Sequence, residues 1–259
     1  MPYADLPGVR LHYRLDGDAG LPVLVLSNSL GTNLDMWTPQ VAAFSKHFRV
    51  LRYDTRGHGA SSVPAGPYQV EQLGADVIGL LDDLQIERAH FCGLSMGGIT
   101  GMWLALAHPQ RLSKLVLCNT AAYIGPPENW TNRAGAVERD GVGSIAPAVV
   151  DRWLTPDFAA KRPELVKYLR QMLSATDARG YAANCLAVRD ADLRERVRDI
   201  QLPTLVIAGS GDLPTPPRDG QYLAKAIPGA RYVELEAAHI SNLQQVEPFT
   251  RTVLEFLQG

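Results

Sequence analysis

A serine set between two glycines, at a change of hydrophobic period, constrains this chain more than any other feature: Phe91-Cys92-Gly93-Leu94-Ser95-Met96-Gly97-Gly98. Upstream, Ala89 to Leu94 has the character of a short covered strand. Downstream, Gly97 to Ala107 is apolar nearly all round (Ile99, Met102, Trp103, Leu104, Leu106), which predicts a buried helix stopped by Pro109. A strand that turns directly into a helix forces the corner residue into a strained backbone conformation and leaves no room for side chains two positions either side. Gly93 and Gly97 meet that demand, and the Ser95 hydroxyl is pushed out at the carboxyl edge of a sheet. The five-residue pattern alone also fits ordinary loops, so its meaning depends on what the rest of the chain supplies.

The rest of the chain supplies a sheet. Alternation at Val9, Leu11, Tyr13 and Leu15 predicts a half-buried strand at an antiparallel start. Short, largely apolar runs at Val23–Leu26, Leu115–Cys118 and Pro203–Gly209 predict strands covered on both faces, Phe48–Tyr53 reads as another strand, and Tyr232–Leu235 is the last. Helices are expected near Met36 to Phe44, over Val70 to Leu84 at three- and four-residue spacing, from Pro216 or Pro217, and over Val246 to Leu257. Strands alternating with helices imply an α/β fold with a mainly parallel sheet and helices on both faces. The alternation stops after Thr120. From Tyr123 to Asp192 the chain is charged, broken by Gly and Pro, and carries short helical patterns such as Val166, Leu169 and Leu173. The expected organisation is therefore a core of residues 1–121 and 193–259 with a helical cap inserted at 122–192.

A chain of 259 residues with 46% hydrophobic and 20% charged residues can bury one large core. Its formal net charge of −2 lacks the basic excess of a nucleic-acid or anionic-membrane partner. Residues 1–10 carry no secretory pattern, and no apolar run reaches the roughly 18 residues of a membrane span. A cytoplasmic protein is expected, with a homo-oligomer left open. Cys92, Cys118 and Cys185 show no metal spacing or paired motif and are read as reduced, mostly buried thiols.

A serine hydroxyl is a poor nucleophile until a base takes its proton, and the base must be held in the right tautomer by a carboxylate. Asp212 follows the penultimate predicted strand and His239 the last, so in a parallel sheet both emerge at the same edge as Ser95. Asp219 is close in sequence but falls inside the following helix. His12, His47, His90 and His108 lie in or beside regular elements and are read as structural. His58 stands in the turn Asp54-Thr55-Arg56-Gly57-His58-Gly59 well before the nucleophile, where Asp54 and Arg56 are expected to brace the loop. The oxyanion of an acyl-transfer intermediate requires preorganised donors: the Met96 N–H at the helix start and the Leu30 N–H in the loop after the Val23 strand, with the Ser29 hydroxyl nearby.

On these residues the chain resembles the α/β-hydrolase superfamily over essentially its whole length, which implies an eight-stranded, mainly parallel sheet. Many relatives carry His-Gly in the oxyanion loop, where this chain has Asn28-Ser29. The combination Ser27-Asn28-Ser29-Leu30-Gly31-Thr32, Gly93-Leu94-Ser95-Met96-Gly97-Gly98 and Ala238-His239-Ile240-Ser241-Asn242 is similar to the 3-oxoadipate enol-lactonase family. That resemblance implies a small carboxylated lactone from aromatic catabolism as substrate, no metal and no cofactor. A cationic anchor is then expected, and Arg133 beside Trp130 at the start of the insertion is the preferred candidate. The same fold also hosts carboxylesterases, perhydrolases and C–C bond hydrolases, and a triad-containing small-molecule receptor is the reading from another class. Relatives that use aspartate as nucleophile are disfavoured by Ser95.

Overall fold

Strands β1 (Tyr3–Leu6), β2 (Val9–Asp16), β3 (Val23–Ser27), β4 (Arg49–Tyr53), β5 (Ala89–Leu94), β6 (Leu112–Cys118), β7 (Thr204–Gly209) and β8 (Arg231–Leu235) form one sheet in the order β1-β2-β4-β3-β5-β6-β7-β8. The computed structural model describes residues 2–259; Met1 lies outside the described residues. The β1–β2 and β2–β4 pairings are antiparallel and all the others are parallel. Strand β7 is buried along its whole length and β5 from Phe91 onward, which explains why their sequences run apolar instead of alternating. The order places β3 directly beside β5. The loop leaving β3 therefore lies next to the turn that carries Ser95.

Helices α1 (Thr38–Phe44), α2 (Val70–Asp83), α3 (Met96–Ala107), α9 (Pro217–Ala226), α10 (Ser241–Gln244) and α11 (Val246–Gln258) belong to the core. The predicted amphipathic face of α2 is the one buried, through Val70, Leu73, Val77, Leu80 and Leu81. Helix α3 packs on β5, β6, β3 and α2, and its Trp103 lies so close to Gly74 that no Cβ fits there. Some elements differ from expectation: β6 starts three residues before the predicted run, and α10 was not anticipated. The helix anticipated from Met36 is split into a 3-10 turn, Leu34–Trp37, capped by the Asn33 side chain, and α1, with Pro39 in its first turn. Strand β1 went unpredicted because four residues at a sheet edge are too short to show a period.

Between β6 and β7 lie α4 (Pro127–Asp140), α5 (Ala146–Val150), α6 (Pro156–Lys161), α7 (Pro163–Ser174) and α8 (Ala178–Asp190), with no strand among them. The two ends of this segment are clasped: Tyr123 and Asp192 form an isolated antiparallel bridge, and Leu193 N–H donates to Ala122 O at 2.8 Å. We propose on this basis that residues 122–192 act as a cap on the core.

Phe91 lies at the centre of the sheet, fully buried, where its ring approaches Gly101 of α3. Phe91→Ala is expected to destabilise the protein by about 3–5 kcal/mol. Urea unfolding would show this as a lower midpoint with an unchanged slope.

Candidate active site

Ser95 has φ 57° and ψ −115°, a conformation that non-glycine residues avoid. The surroundings over-determine it. Ser95 N–H donates to Cys118 O at 2.9 Å, while Ser95 O accepts from Gly98 N–H, Ile99 N–H and the Thr120 hydroxyl. A Cβ on Gly93 would collide with the Gly97 carbonyl, and one on Gly97 with the Ser27 carbonyl of β3. Three backbone segments thus converge where side chains are excluded. The loop after β3 is fastened here too, because Gly97 N–H donates to Asn28 O at 3.1 Å. Neither Met96 N–H nor Leu30 N–H finds an acceptor among the described residues. At the amino end of α3, where the helix dipole also favours negative charge, such donors suit an oxyanion.

His239 Nδ1 lies 3.0 Å from each carboxylate oxygen of Asp212, and both residues are buried. Pairing through Nδ1–H turns Nε2 into the free acceptor, the form required of a general base. Asp212 also receives Thr215 N–H at 3.0 Å, the Thr215 hydroxyl at 2.9 Å and the Asn119 amide at 2.9 Å. Burial alone would raise its pKa; the charge and hydrogen bond of His239, with the Thr215 and Asn119 donors, outweigh burial and hold the carboxyl below its usual range. The histidine loop is equally constrained, since Asn119 donates to Ala238 O at 3.1 Å and accepts from the Ser241 hydroxyl.

Ser95 and His239 line one cavity of about 190 Å³ with Ser29, Leu30, Trp130 and Arg133, so the structure gathers most of the predicted site residues in a single place. Met96 contributes backbone and Asp212 stands behind His239; neither is part of the lining. The volume is below the roughly 300–1,000 Å³ usual for drug-sized ligands, which favours a small substrate. Trp130 and Arg133 are one helical turn apart on α4, with the guanidinium 4.7 Å from the indole centroid. The Trp130 indole is itself tied to Ile124 O. Among the described residues no cluster of three or more His, Cys, Asp or Glu could hold a metal ion, and no helix is long and apolar enough to cross a membrane.

A family model described as alpha/beta hydrolase fold matches residues 22–246. This chain is an α/β hydrolase. It is 48% identical to 3-oxoadipate enol-lactonase 2 of Acinetobacter baylyi, over 95% of this chain and 92% of the relative, and 40% identical to 3-oxoadipate enol-lactonase 1 of that organism, over 97% and 94%. A crystal structure of the enol-lactonase from Burkholderia xenovorans LB400 superposes with a TM-score of 0.98 at 54% identity, covering all of both chains.

Several residues of this α/β hydrolase site escaped sequence reasoning. Thr215, three residues after Asp212, had a signal in the tendency of an aspartate to accept from the backbone N–H groups that shortly follow it. Asn119, at φ 45° just past β6, had none, because only the strand order brings it to Asp212. Arg152, Trp153 and Tyr181 line the cavity from irregularly patterned parts of the insertion.

The expected brace around His58 is present and reaches the oxyanion loop. Asp54 accepts from Leu34 N–H at 2.8 Å, Ala60 N–H at 2.9 Å and the His12 ring at 2.7 Å, and Arg56 forms a two-pronged pair with Asp76. His58 Nε2 accepts Gly31 N–H at 2.9 Å, so in this tautomer the ring is neutral and its proton sits on Nδ1. Burial lowers the His58 pKa from 6.5 to about 4. The unfolded chain therefore binds a proton that the folded one refuses: the stabilisation is complete above pH 6.5 and is lost as pH falls through about 4. Denaturation midpoints measured from pH 7 to 4 should fall in the wild type and fall less in His58→Gln, whose amide oxygen can still accept from Gly31.

Proposed function

We propose that this protein is a serine hydrolase that opens the ring of 3-oxoadipate enol-lactone to give 3-oxoadipate. The observation that carries the substrate is whole-length similarity to enol-lactonases. The geometry supplies the reaction. Ser95 Oγ attacks the lactone carbonyl while His239 Nε2 takes its proton and Asp212 stabilises the imidazolium. The Met96 and Leu30 N–H groups receive the oxyanion. Collapse breaks the ring C–O bond, leaving the acyl group on Ser95 and releasing an enolate oxygen, which takes the proton from His239 and tautomerises to the ketone. A water deprotonated by His239 then hydrolyses the acyl-enzyme and restores Ser95.

The substrate's free carboxylate needs a counter-charge in a small, half-apolar cavity. Arg133, steadied on Trp130, faces that cavity and is suited to bind it. Ser29 lines the same cavity beside the Leu30 donor and is suited to contact the ring.

Loss of enol-lactone absorbance, followed beside a panel of neutral esters, tests the reading. Efficient turnover of the esters with none of the enol-lactone would overturn it. Ser95→Ala is expected to lower kcat by roughly ten-thousandfold or more, with an unaltered circular dichroism spectrum. Arg133→Ala is expected to reduce the ratio of kcat/KM for the carboxylated lactone over a neutral ester by about tenfold or more. Equal losses on both substrates would remove the anchor role.

A further inference from the structure

The cavity wall holds two guanidiniums and no carboxylate: Arg133 is joined by Arg152, from the turn that follows α5. Elsewhere in the same segment Arg139, Arg170, Arg179 and Arg189 each pair with an aspartate. Among the described residues Arg152 has no such partner. Its Nε donates to Ala148 O at 3.3 Å, which leaves the terminal nitrogens for other acceptors. Burial, and then the positive charge of Arg133, both pull its pKa down, so the two cations feel one another through the partly buried space between them. Like charges held at a cavity wall without an acid are an unsatisfied arrangement that a bound anion relieves.

The position of Arg152 is also fixed relative to the reacting groups. The next residue, Trp153, accepts Ile240 N–H at 3.0 Å through its carbonyl, directly beside His239. Two residues further, Thr155 N–H donates to Gln244 Oε1 at 3.2 Å and the Thr155 hydroxyl accepts from Gln244 Nε2 at 2.7 Å. The same Gln244 oxygen accepts Ala238 N–H at 3.0 Å. Arg152 is therefore mounted on backbone bolted to both sides of the histidine, whereas Arg133 rides on α4. A charge carried on the catalytic loop's own support keeps its distance from Ser95 and His239 whatever α4 does.

We propose that Arg152 is a second carboxylate-binding residue, and that with Arg133 it forms a paired-guanidinium subsite selecting small ligands that carry a free carboxylate. Two forks converging on one carboxylate account for the absence of any acid from the lining, and the subsite recognises the hydrolysis product, a dicarboxylate, as well as the substrate. The substrate half of this statement rests on the enol-lactonase reading; the anion subsite does not.

The test is competitive inhibition by adipate, a six-carbon dicarboxylate, of the hydrolysis of p-nitrophenyl acetate, a neutral ester. Arg152→Gln should raise the adipate inhibition constant by about tenfold or more, and Arg152→Lys by less, because an ammonium keeps the charge but loses the fork. Arg170→Gln, which removes a nearby surface charge paired with Asp151, is the electrostatic control and should leave the constant unchanged. An unchanged constant in both Arg152 variants, with melting curves confirming folded protein, overturns the proposal. An equal rise in Arg170→Gln also overturns it, since the effect is then one of net charge. If adipate inhibition depends on Arg152 while the wild type fails to open the enol-lactone, the substrate reading fails and the subsite stands.

Discussion

Close backbone approach at Gly93 and Gly97 is the constraint on which the rest of this structure depends. Strand β5, helix α3 and the end of β3 meet there with no space for a Cβ, so the chain must turn through Ser95 in a conformation that serine does not choose. Hydrogen bonds from β6 and the first turn of α3 hold it. The same convergence aligns the amino end of α3 with the loop after β3. One packing event thus sets the direction of the hydroxyl and the placing of two backbone donors.

The groups around Ser95 are positioned by polar contacts buried deeply enough to be unforgiving. Asp212 is surrounded by donors from Asn119 just past β6, from its own turn and from His239, and the histidine loop is held by Asn119, Gln244 and Trp153. On the other side, the Asn28 side chain donates to Tyr53 O and accepts from the Trp37 indole, using up the amide that replaces the more common residue of the family at this place. Burial makes each of these bonds costly to break, which favours a single arrangement of the loops over an ensemble. The Asn28 contacts give a physical reason for a departure that first appears as a family-specific motif.

The segment between β6 and β7 is joined to the rest of the chain beside His239 as well as at its ends. The Tyr123–Asp192 bridge closes the neck, and the Trp153–Ile240 and Thr155–Gln244 bonds attach the middle of the insertion to the histidine loop. Cations from the insertion, Arg133 and Arg152, are thereby set in the same cavity as Ser95.

Much of this was legible before any coordinates. The strands and helices of the core follow from hydrophobic period, and Ser95, Asp212 and His239 follow from their places after strands, because in a parallel sheet a strand's end is a location in space as well as in sequence. Local order was blurred where the period was short or interrupted, at β1 and at the split before α1. What the chain by itself determined is the fold, the elbow and the class of chemistry, since these are written in patterns within one or two elements. Only the tertiary structure decided that Asn119 meets Asp212, that His58 braces Gly31, and that Arg152 joins Arg133. Those meetings join residues on different elements, between 27 and 93 positions apart where hydrogen bonds record them. No local pattern encodes such a pairing; strand order and the path of the segment between β6 and β7 do.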